Sequence, residues 1–322
     1  MVDFAVVEGD ILERTCDLLL LKHAAQSYGV DRKVAQRTGA DLSVEAGNHL
    51  LVPGTGIAAR QIMVLGVGSL IDFRYGQIRR FAAKELGRAA TFDIPLRTLC
   101  SPVHGPGYGL DEKESFLSLI AGFMDAIADG HAPHQLKRIE IVERNPVRRD
   151  RFAAWLHEFL PQRSMPPQQS ESEPQRSPPQ LRSFGDESEA KAKMFVAMPF
   201  ADDYSDVYEV AIQDASLKTG IVCERLLEHA YLGDIVQEIK TRIAGSHGLI
   251  GVLDGLNPNV FLEVGFAWGL GKPTLLIVKE GQPLPFNVQG QKCLTYKNIG
   301  NLRSQLIGYL EQLKATGTFG KA

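Results

Sequence analysis

The sequence predicts two α/β domains, each a sheet held between layers of helices, a three-layer α/β/α arrangement repeated twice. Three observations carry this expectation. Short apolar runs alternate with amphipathic stretches of helical period along nearly the whole chain. In the second half those runs are apolar on both faces, the pattern of a buried, mostly parallel sheet. Between the halves, "PQRSMPPQQSESEPQRSPPQ" (161–180) holds 6 of the chain's 17 prolines and almost no apolar side chains. Such a segment cannot bury enough surface to offset its ordering entropy. The expected division is therefore a first domain over 1–160, a disordered Pro/Gln/Ser-rich tether over 161–193 and a second domain over 194–322.

In the first half, "FAVVEGDIL", "DLLLLK" and "QIMVLGVG" read as strands. "DFRYGQIRRFAAKELGRAA" reads as a helix whose buried stripe is Phe73, Ile78, Phe81, Ala82 and Leu86. "IPLRTLCSPV" reads as a strand, "EKESFLSLIAGFMDAIADG" as a helix closed by glycine, "RIEIVE" as a strand and "RRDRFAAWLHEFL" as a final helix. After the tether, strand "KMFVAMPF" leads to helix "YSDVYEVAIQDASLKTG", ending at Gly220 as a C-cap should. Strand "IVCER", helix "YLGDIVQEIKTRIAGS" and strand "HGLIGVLD" follow. The helix "NPNVFLEVGFAWGLGKP", strand "KPTLLIVK", strand "KCLTYKN" and helix "GNLRSQLIGYLEQLK" complete the pattern.

Composition narrows the functional classes. A net charge of −3 with 23% charged residues gives no reason to expect nucleic-acid or membrane binding. The longest apolar runs, Leu18–Leu21 and Thr274–Val278, are too short to span a bilayer. No basic segment or cleavage pattern follows Met1, so no secretory signal is expected. Cys16, Cys100, Cys223 and Cys293 are scattered without C-x-x-C spacing and read as reduced, mostly buried thiols of a cytoplasmic protein. His131 and His134 sit in a proline-containing loop, and neither a metal site nor a cofactor is expected.

In doubly wound sheets, ligands sit at the carboxyl ends of the strands. That gathers "MPFADD" (198–203), "ERLLEH" (224–229) and "DGLNPN" (254–259) around one crevice. Asn257 is a good N-cap, Pro258 fits the first helical position, and Asn259 shares a helical face with Glu263. Glu263 is the one carboxylate in an otherwise apolar stretch from Val260 to Leu270, and burying an unpaired charge there is expensive. One reading pairs it with a lysine or arginine from a neighbouring helix. The other makes it chemical: with Asp254 and the two carboxamides it would surround a sugar, attacking or stabilising an oxocarbenium-like C1′.

"FVAMPF", "GDIVQEI" and above all "NPNVFLEVGFAWGLGKP" make residues from Met194 to about Leu313 resemble the nucleoside 2-deoxyribosyltransferase-like and TIR-like N-glycosidases. The resemblance implies a flavodoxin-like parallel sheet and Glu263 as the catalytic carboxylate, with Asp254 as its acidic companion. It further implies that Asp254, Asn257 and Asn259 contact ribose, while Met198, Pro199 and Phe200 line the base pocket with Asp202 and Arg225 nearby. Relatives often carry an aspartate close to that arginine. Here Leu226 and Leu227 follow it, which bears on substrate choice. His229, the one histidine of the region, reads as a surface residue rather than a general acid. A nicotinamide leaving group needs little acid assistance, so this favours NAD as substrate over base exchange by a deoxyribosyltransferase.

"VEGDILERTCDLLLLKHAAQSYGVD" and "SPVHGPGYGLDE" carry a weaker resemblance, to macro domains and the macro-like amino-terminal domain of leucine aminopeptidases. It implies a nucleotide site, with Asp10 and Ile11 at the adenine and the loop of Gly105, Gly107, Tyr108 and Gly109 around a diphosphate. Backbone amides in such a loop hold phosphate without a lysine. A structural glycine turn is the alternative. His23, Ala24, Ala25 and Gln26 replace the usual Asn-Ala-Ala-Asn, which argues against de-ADP-ribosylation. The combined expectation is an N-glycosidase switched by an ADP-ribose-like or cyclic nucleotide and assembling as a homo-oligomer. The resemblance implies a place among two-domain effectors of bacterial antiviral defence. The competing class is a nucleotide-binding regulator or scaffold without turnover.

Overall fold

The structure is a computed structural model that describes residues 2–24, 29–68, 70, 73–92, 95–106, 110–160, 191–199, 201–226 and 235–318. The tether read at 161–193 lies outside the described residues except for 191–193.

The first half contains β1 (Asp3–Glu8), β2 (Cys16–Ala24), α1 (Gly29–Thr38), β3 (His49–Pro53), β4 (Ala59–Gly68), α2 (Tyr75–Ala89), β5 (Thr98–Ser101), α3 (Glu112–Ala128), β6 (Arg138–Glu143) and α4 (Pro146–Phe159). The strands form one sheet in the order β1-β6-β5-β2-β4-β3, parallel throughout except for β3 against β4. β2 shows why its run is apolar without alternation. Leu18 and Leu20 enter the cluster with α2 and α3, whereas Leu19 and Leu21 enter the cluster with Val34 of α1 on the opposite face. The whole stripe predicted for α2, from Phe73 to Leu86, is buried. α3 crosses α2 so closely that a Cβ on Gly122 would lie 2.1 Å from the Arg79 carbonyl oxygen, so only glycine fits there.

Two elements carry no strong signal in the sequence. α1 is mostly polar and buries only Asp31 and Val34, and β3 is a half-buried antiparallel edge strand. The run 94–103 yields only the four residues of β5, because Pro95 and Pro102 supply no ladder donor at either side.

The second half contains β7 (Lys193–Ala197), α5 (Gln213–Thr219), β8 (Val222–Glu224), α6 (Ile235–Gly245), β9 (Gly248–Val252), α7 (Pro258–Gly269), β10 (Thr274–Lys279), α8 (Phe286–Gln289), β11 (Cys293–Tyr296) and α9 (Ile299–Ala315). Its sheet runs β11-β10-β9-β7-β8 and is parallel throughout. The winding starts at β7, steps once to β8 and then reverses through β9, β10 and β11, the flavodoxin-like order. The reversal between β7 and β9 opens the crevice in which such folds take ligands. The helix read as "YSDVYEVAIQDASLKTG" is α-helical only in its later part. Val207–Ile212 is wound as a π-helix, and Gly220 closes α5 with φ 73°. Among the described residues no helix is long and apolar enough to cross a membrane.

Candidate functional site

α7 begins as its sequence predicts. Asn257 caps it, its side-chain oxygen accepting from Asn259 N at 2.9 Å, and Pro258 takes the first turn. Val260, Val264 and Ala267 form the buried stripe. Glu263 lies beside that stripe and is half-buried. Burial alone pushes its carboxyl up to about 7. Among the described residues no ion pair or hydrogen bond reaches it. Lys240 of α6 stands 5.9 Å from the Phe266 ring centroid instead. The ion-pair reading of the sequence thus has no partner here, and the helix carries a desolvated, uncompensated acid.

Asp254 is buried, and both oxygens are engaged by the protein: Oδ1 accepts from Lys279 N at 2.7 Å and Oδ2 accepts from the Tyr296 hydroxyl. Those bonds tie the ends of β9, β10 and β11, so both oxygens of the acid expected beside Glu263 have partners within the protein. The turn that follows is tightly shaped. Gly255 (φ 73°) and Leu256 (φ 51°) are both left-handed, and a Cβ on Gly255 would lie 2.5 Å from the Tyr204 hydroxyl. Gln282 clamps the turn, donating to Leu253 O at 2.9 Å and accepting from Gly255 N at 3.2 Å. Asn259 is exposed at the mouth of this turn.

Across the crevice, Met198 and Pro199 are buried at the end of β7. Arg225 follows β8. Its guanidinium carbon lies 4.2 Å from the Tyr208 ring centroid, and Nη1 lies 3.7 Å from Met198 Sδ. Tyr208 belongs to the π-helical stretch and donates to Cys223 O at 3.0 Å. Asp202 opens a short 3-10 turn, Asp202–Tyr204. Phe200, Leu227 and His229 lie outside the described residues.

In the first half, Gly9 takes φ 148°, and Asp10 Oδ1 accepts from Leu12 N at 2.9 Å, so the aspartate shapes its own turn while Ile11 is buried. Gly105 takes φ 122°, whereas Gly107, Tyr108 and Gly109 lie outside the described residues. A cavity of about 380 Å³ is lined by His23, Ala24, Ser43, Val44, Glu45, Ala46 and Gly68. Beside it, near the end of β2, Lys22 is buried. Burial pushes Lys22 down against the attraction of Asp31, and burial pushes Asp31 up against the attraction of the lysine. His104 is buried edge-on to Phe81 at 5.0 Å, and burial and Lys22 together hold it well below the usual imidazole range.

The halves meet through charge. Glu112, at the start of α3, is fully buried and accepts from Arg148 Nε and Arg151 Nη2, both at 2.7 Å. Arg151 also pairs with Asp214 of α5 at 3.8 Å and approaches Glu209 O at 3.5 Å. Lys191, just before β7, reaches Asp111 at 3.1 Å and Glu114 at 3.5 Å. The acids that start α3, directly after the glycine-rich loop, are therefore bound to the second half.

The four cysteines are free, three buried and Cys293 half-buried. Among the described residues no group of three or more His, Cys, Asp or Glu side chains is arranged to hold a metal ion.

No protein-family model matches the chain. No curated protein matches it either. Among solved structures the similarity is to macrodomains, over about half of the chain. A Trypanosoma brucei macrodomain in complex with ADP is 14% identical, with a TM-score of 0.41, covering 48% of this chain and 68% of the other. An Oceanobacillus iheyensis macrodomain with ADP is 17% identical, with a TM-score of 0.37, covering 48% and 90%.

Proposed function

We propose that this protein cleaves an N-glycosidic bond of NAD or a related nucleotide with Glu263 as the carboxylate at C1′, and that nucleotide binding in the first half regulates it. The observation that carries the reading is Glu263 itself: a half-buried acid on α7, beside the strand-order reversal, with no partner among the described residues. Desolvated acids with shifted titration are enriched at functional sites, and this one stands at the start of a helix beside the strand ends. In the ionised form Glu263 attacks or stabilises C1′ as the bond to the base breaks and its electron pair leaves with the base. Water then supplies hydroxide to C1′ and its proton returns through the carboxylate or solvent. Asp254, with both oxygens engaged, orients the turn that leads to Asn257 and Asn259. With both its oxygens engaged, Asp254 is not free to protonate a poor leaving group, so a nicotinamide nucleotide is the favoured substrate over a deoxynucleoside undergoing base exchange.

The regulatory part rests on the contacts between the halves. A ligand seated at Asp10 and Gly105 would act on α3, whose acidic first turn is held by Arg148, Arg151 and Lys191. The site would serve an ADP-ribose-like or cyclic nucleotide. Such a two-part effector, acting in the cytoplasm as a homo-oligomer, fits a nucleotide-consuming role in antiviral defence. A second reading, a nucleotide-binding regulator without turnover, is favoured by the cavity beside His23 and Ser43.

Mass-spectrometric product analysis with NAD and a panel of nucleosides, with and without ADP-ribose, separates the readings. Release of nicotinamide or a free base by the native chain but not by Glu263→Gln supports the enzyme. No product under any condition, with nucleotide binding retained, leaves the regulator.

A further inference from the structure

Six large hydrophobic side chains are exposed among the described residues, and five of them stand on one face of the second half: Val236, Leu256, Leu262, Leu270 and Phe286. The topology explains why they share a face. The steps from β8 to β9, β9 to β10 and β10 to β11 all run in one direction across the sheet. Right-handed crossovers therefore lay α6, α7 and α8 side by side on the same side of it, with α7 in the middle. Ile243 of α6, Val264 of α7 and Val288 of α8 accordingly meet in one buried cluster. The outer side of this helix layer carries the five. Apolar surface concentrated in this way marks an interface, whereas single exposed side chains scattered over a surface do not.

α7 is the centre of the face, and its outer side has both a knob and dents. Leu262 is 66% exposed, while a Cβ on Gly265 or Gly269 would meet nothing within 4 Å. Leu262 and Gly269 are seven residues apart, about two turns, and so lie on the same side of the helix. Two copies of α7 laid antiparallel about an axis between Gly265 and Phe266 set Leu262 of each copy against Gly269 of the other. The same operation brings Leu270, just past one end of α7, to the opposite end of the other copy's helix, where Leu256 is exposed. It also exchanges left and right, so α8 of each copy comes over α6 of the other. Phe286, 87% exposed, is thereby set against Val236 and Lys240.

A two-fold contact requires one patch complementary to itself, and these matches supply it. Charge agrees. Glu263 is the one charge between Val260 and Leu270, and it lies towards α6 with Phe266, so the carboxylates of two copies fall on opposite sides of the axis. Lys240, which stands 5.9 Å from the Phe266 ring centroid, meets a second aromatic ring in Phe286 of the other copy. Area agrees as well. Three helices at spacings of 8–10 Å and the roughly 18 Å of a twelve-residue helix make a face of about 500 Å² in plan. With the relief of the protruding side chains, that approaches the ~800 Å² each partner gives to a stable interface. We infer that a second copy of this chain docks on the α6–α7–α8 face, two-fold about the middle of α7. The docking gives a surface to the homo-oligomer proposed above and does not depend on what Glu263 does chemically.

The test is sedimentation of the full chain over a concentration series. The native chain should form a dimer, Phe286→Ser should weaken it about tenfold or more, and Leu262→Asp should run as a monomer. Leu262 is exposed, so thermal unfolding of that monomer should show a folded chain. Chains carrying Leu262→Cys and Gly269→Cys should form a mixed disulfide on oxidation when combined, and far less when either is alone. A native chain that is monomeric at every concentration overturns the inference and leaves the face to a different protein. A dimer that survives Leu262→Asp overturns it too, because the copies then meet elsewhere. Loss of the dimer without the mixed disulfide overturns the two-fold pairing of α7. Glu263→Gln should dimerise as the native chain does. If the dimer forms on this face while the native chain releases no nicotinamide, the interface stands and the glycosidase reading falls.

Discussion

The Tyr296 hydroxyl donates to Asp254, joining the end of β11 to the end of β9 across the intervening β10. Lys279 N, at the end of β10, completes the tie at 2.7 Å. Three strand ends thus converge on one buried carboxylate, and that carboxylate fixes the turn entering α7. Tyr296→Phe would remove the donor and leave a buried acceptor unmet, costing about 1–3 kcal/mol. Chemical denaturation would read that loss, and turnover would fall with it as the turn loosens. In a double-mutant cycle with Asp254→Asn the two changes should be strongly non-additive. Additive losses would show that the tie does not act as one unit.

Glu263→Gln separates chemistry from stability in opposite directions. A carboxyl held at about 7 by burial binds more protons folded than unfolded, so its contribution to stability falls as pH rises from about 4.5 to about 7 and is flat beyond. Above that window the amide should make the protein more stable, by about 1–2 kcal/mol once solvent screening of a half-buried group is allowed for. Turnover should vanish. A variant that lost stability at pH 8 would point to an unseen structural partner.

The same carboxyl sets the pH dependence of the reaction. Only the ionised form serves as nucleophile or oxocarbenium stabiliser, so kcat/KM should rise with unit slope on a logarithmic scale and level off above about pH 7. A profile falling through that value would mean that Glu263 delivers a proton.

Much of this was legible in the chain. The order of strands and helices in the second half follows from runs apolar on both faces, and the N-cap of α7 follows from Asn257 and Pro258. The lone Glu263 stands out because its neighbours are apolar. Lys22 at the end of "DLLLLK" carries the same signal, yet it passes as the polar end of a strand when read in sequence. What stays invisible is set by distant partners. The partners of Asp254 cannot be read locally, because Tyr296 and Lys279 arrive from strands later in the chain. Arg225 reads as one more charged residue because its stack on Tyr208 depends on a π-helical turn that shifts the register of that helix, and helical period alone gives no warning of it.

Arg151 offers a test of the connection between the halves. Its guanidinium holds Glu112 of α3 at 2.7 Å and Asp214 of α5 at 3.8 Å. Arg148 still pairs with Glu112 when Arg151 is changed, so Arg151→Met should cost about 1–3 kcal/mol rather than the full penalty of an orphaned buried charge. The response of turnover to ADP-ribose should drop several-fold. Turnover assays with and without ADP-ribose would check this, and an undiminished response would mean that the signal does not pass through this arginine.

Gly105 bears on the first half in the same way. Its φ of 122° lies where side chains are strained, and a Cβ there would come within 2.3 Å of Ser115 Oγ and 2.8 Å of Ser115 Cβ. Ser115 lies within α3 and Ile78 Cδ1 closes the other side at 3.2 Å, so neither the loop nor the helix has room to yield. Gly105→Ala should destabilise by about 1–3 kcal/mol, the usual range for overpacking. The loop would have to swing away from α3, carrying its amides out of any phosphate-holding arrangement. Calorimetry with ADP-ribose should then show at least tenfold weaker binding, with thermal unfolding confirming that the chain is still folded. Tight binding by a folded Gly105→Ala chain would mean that the nucleotide does not sit on this loop, and would shift attention to the cavity beside His23.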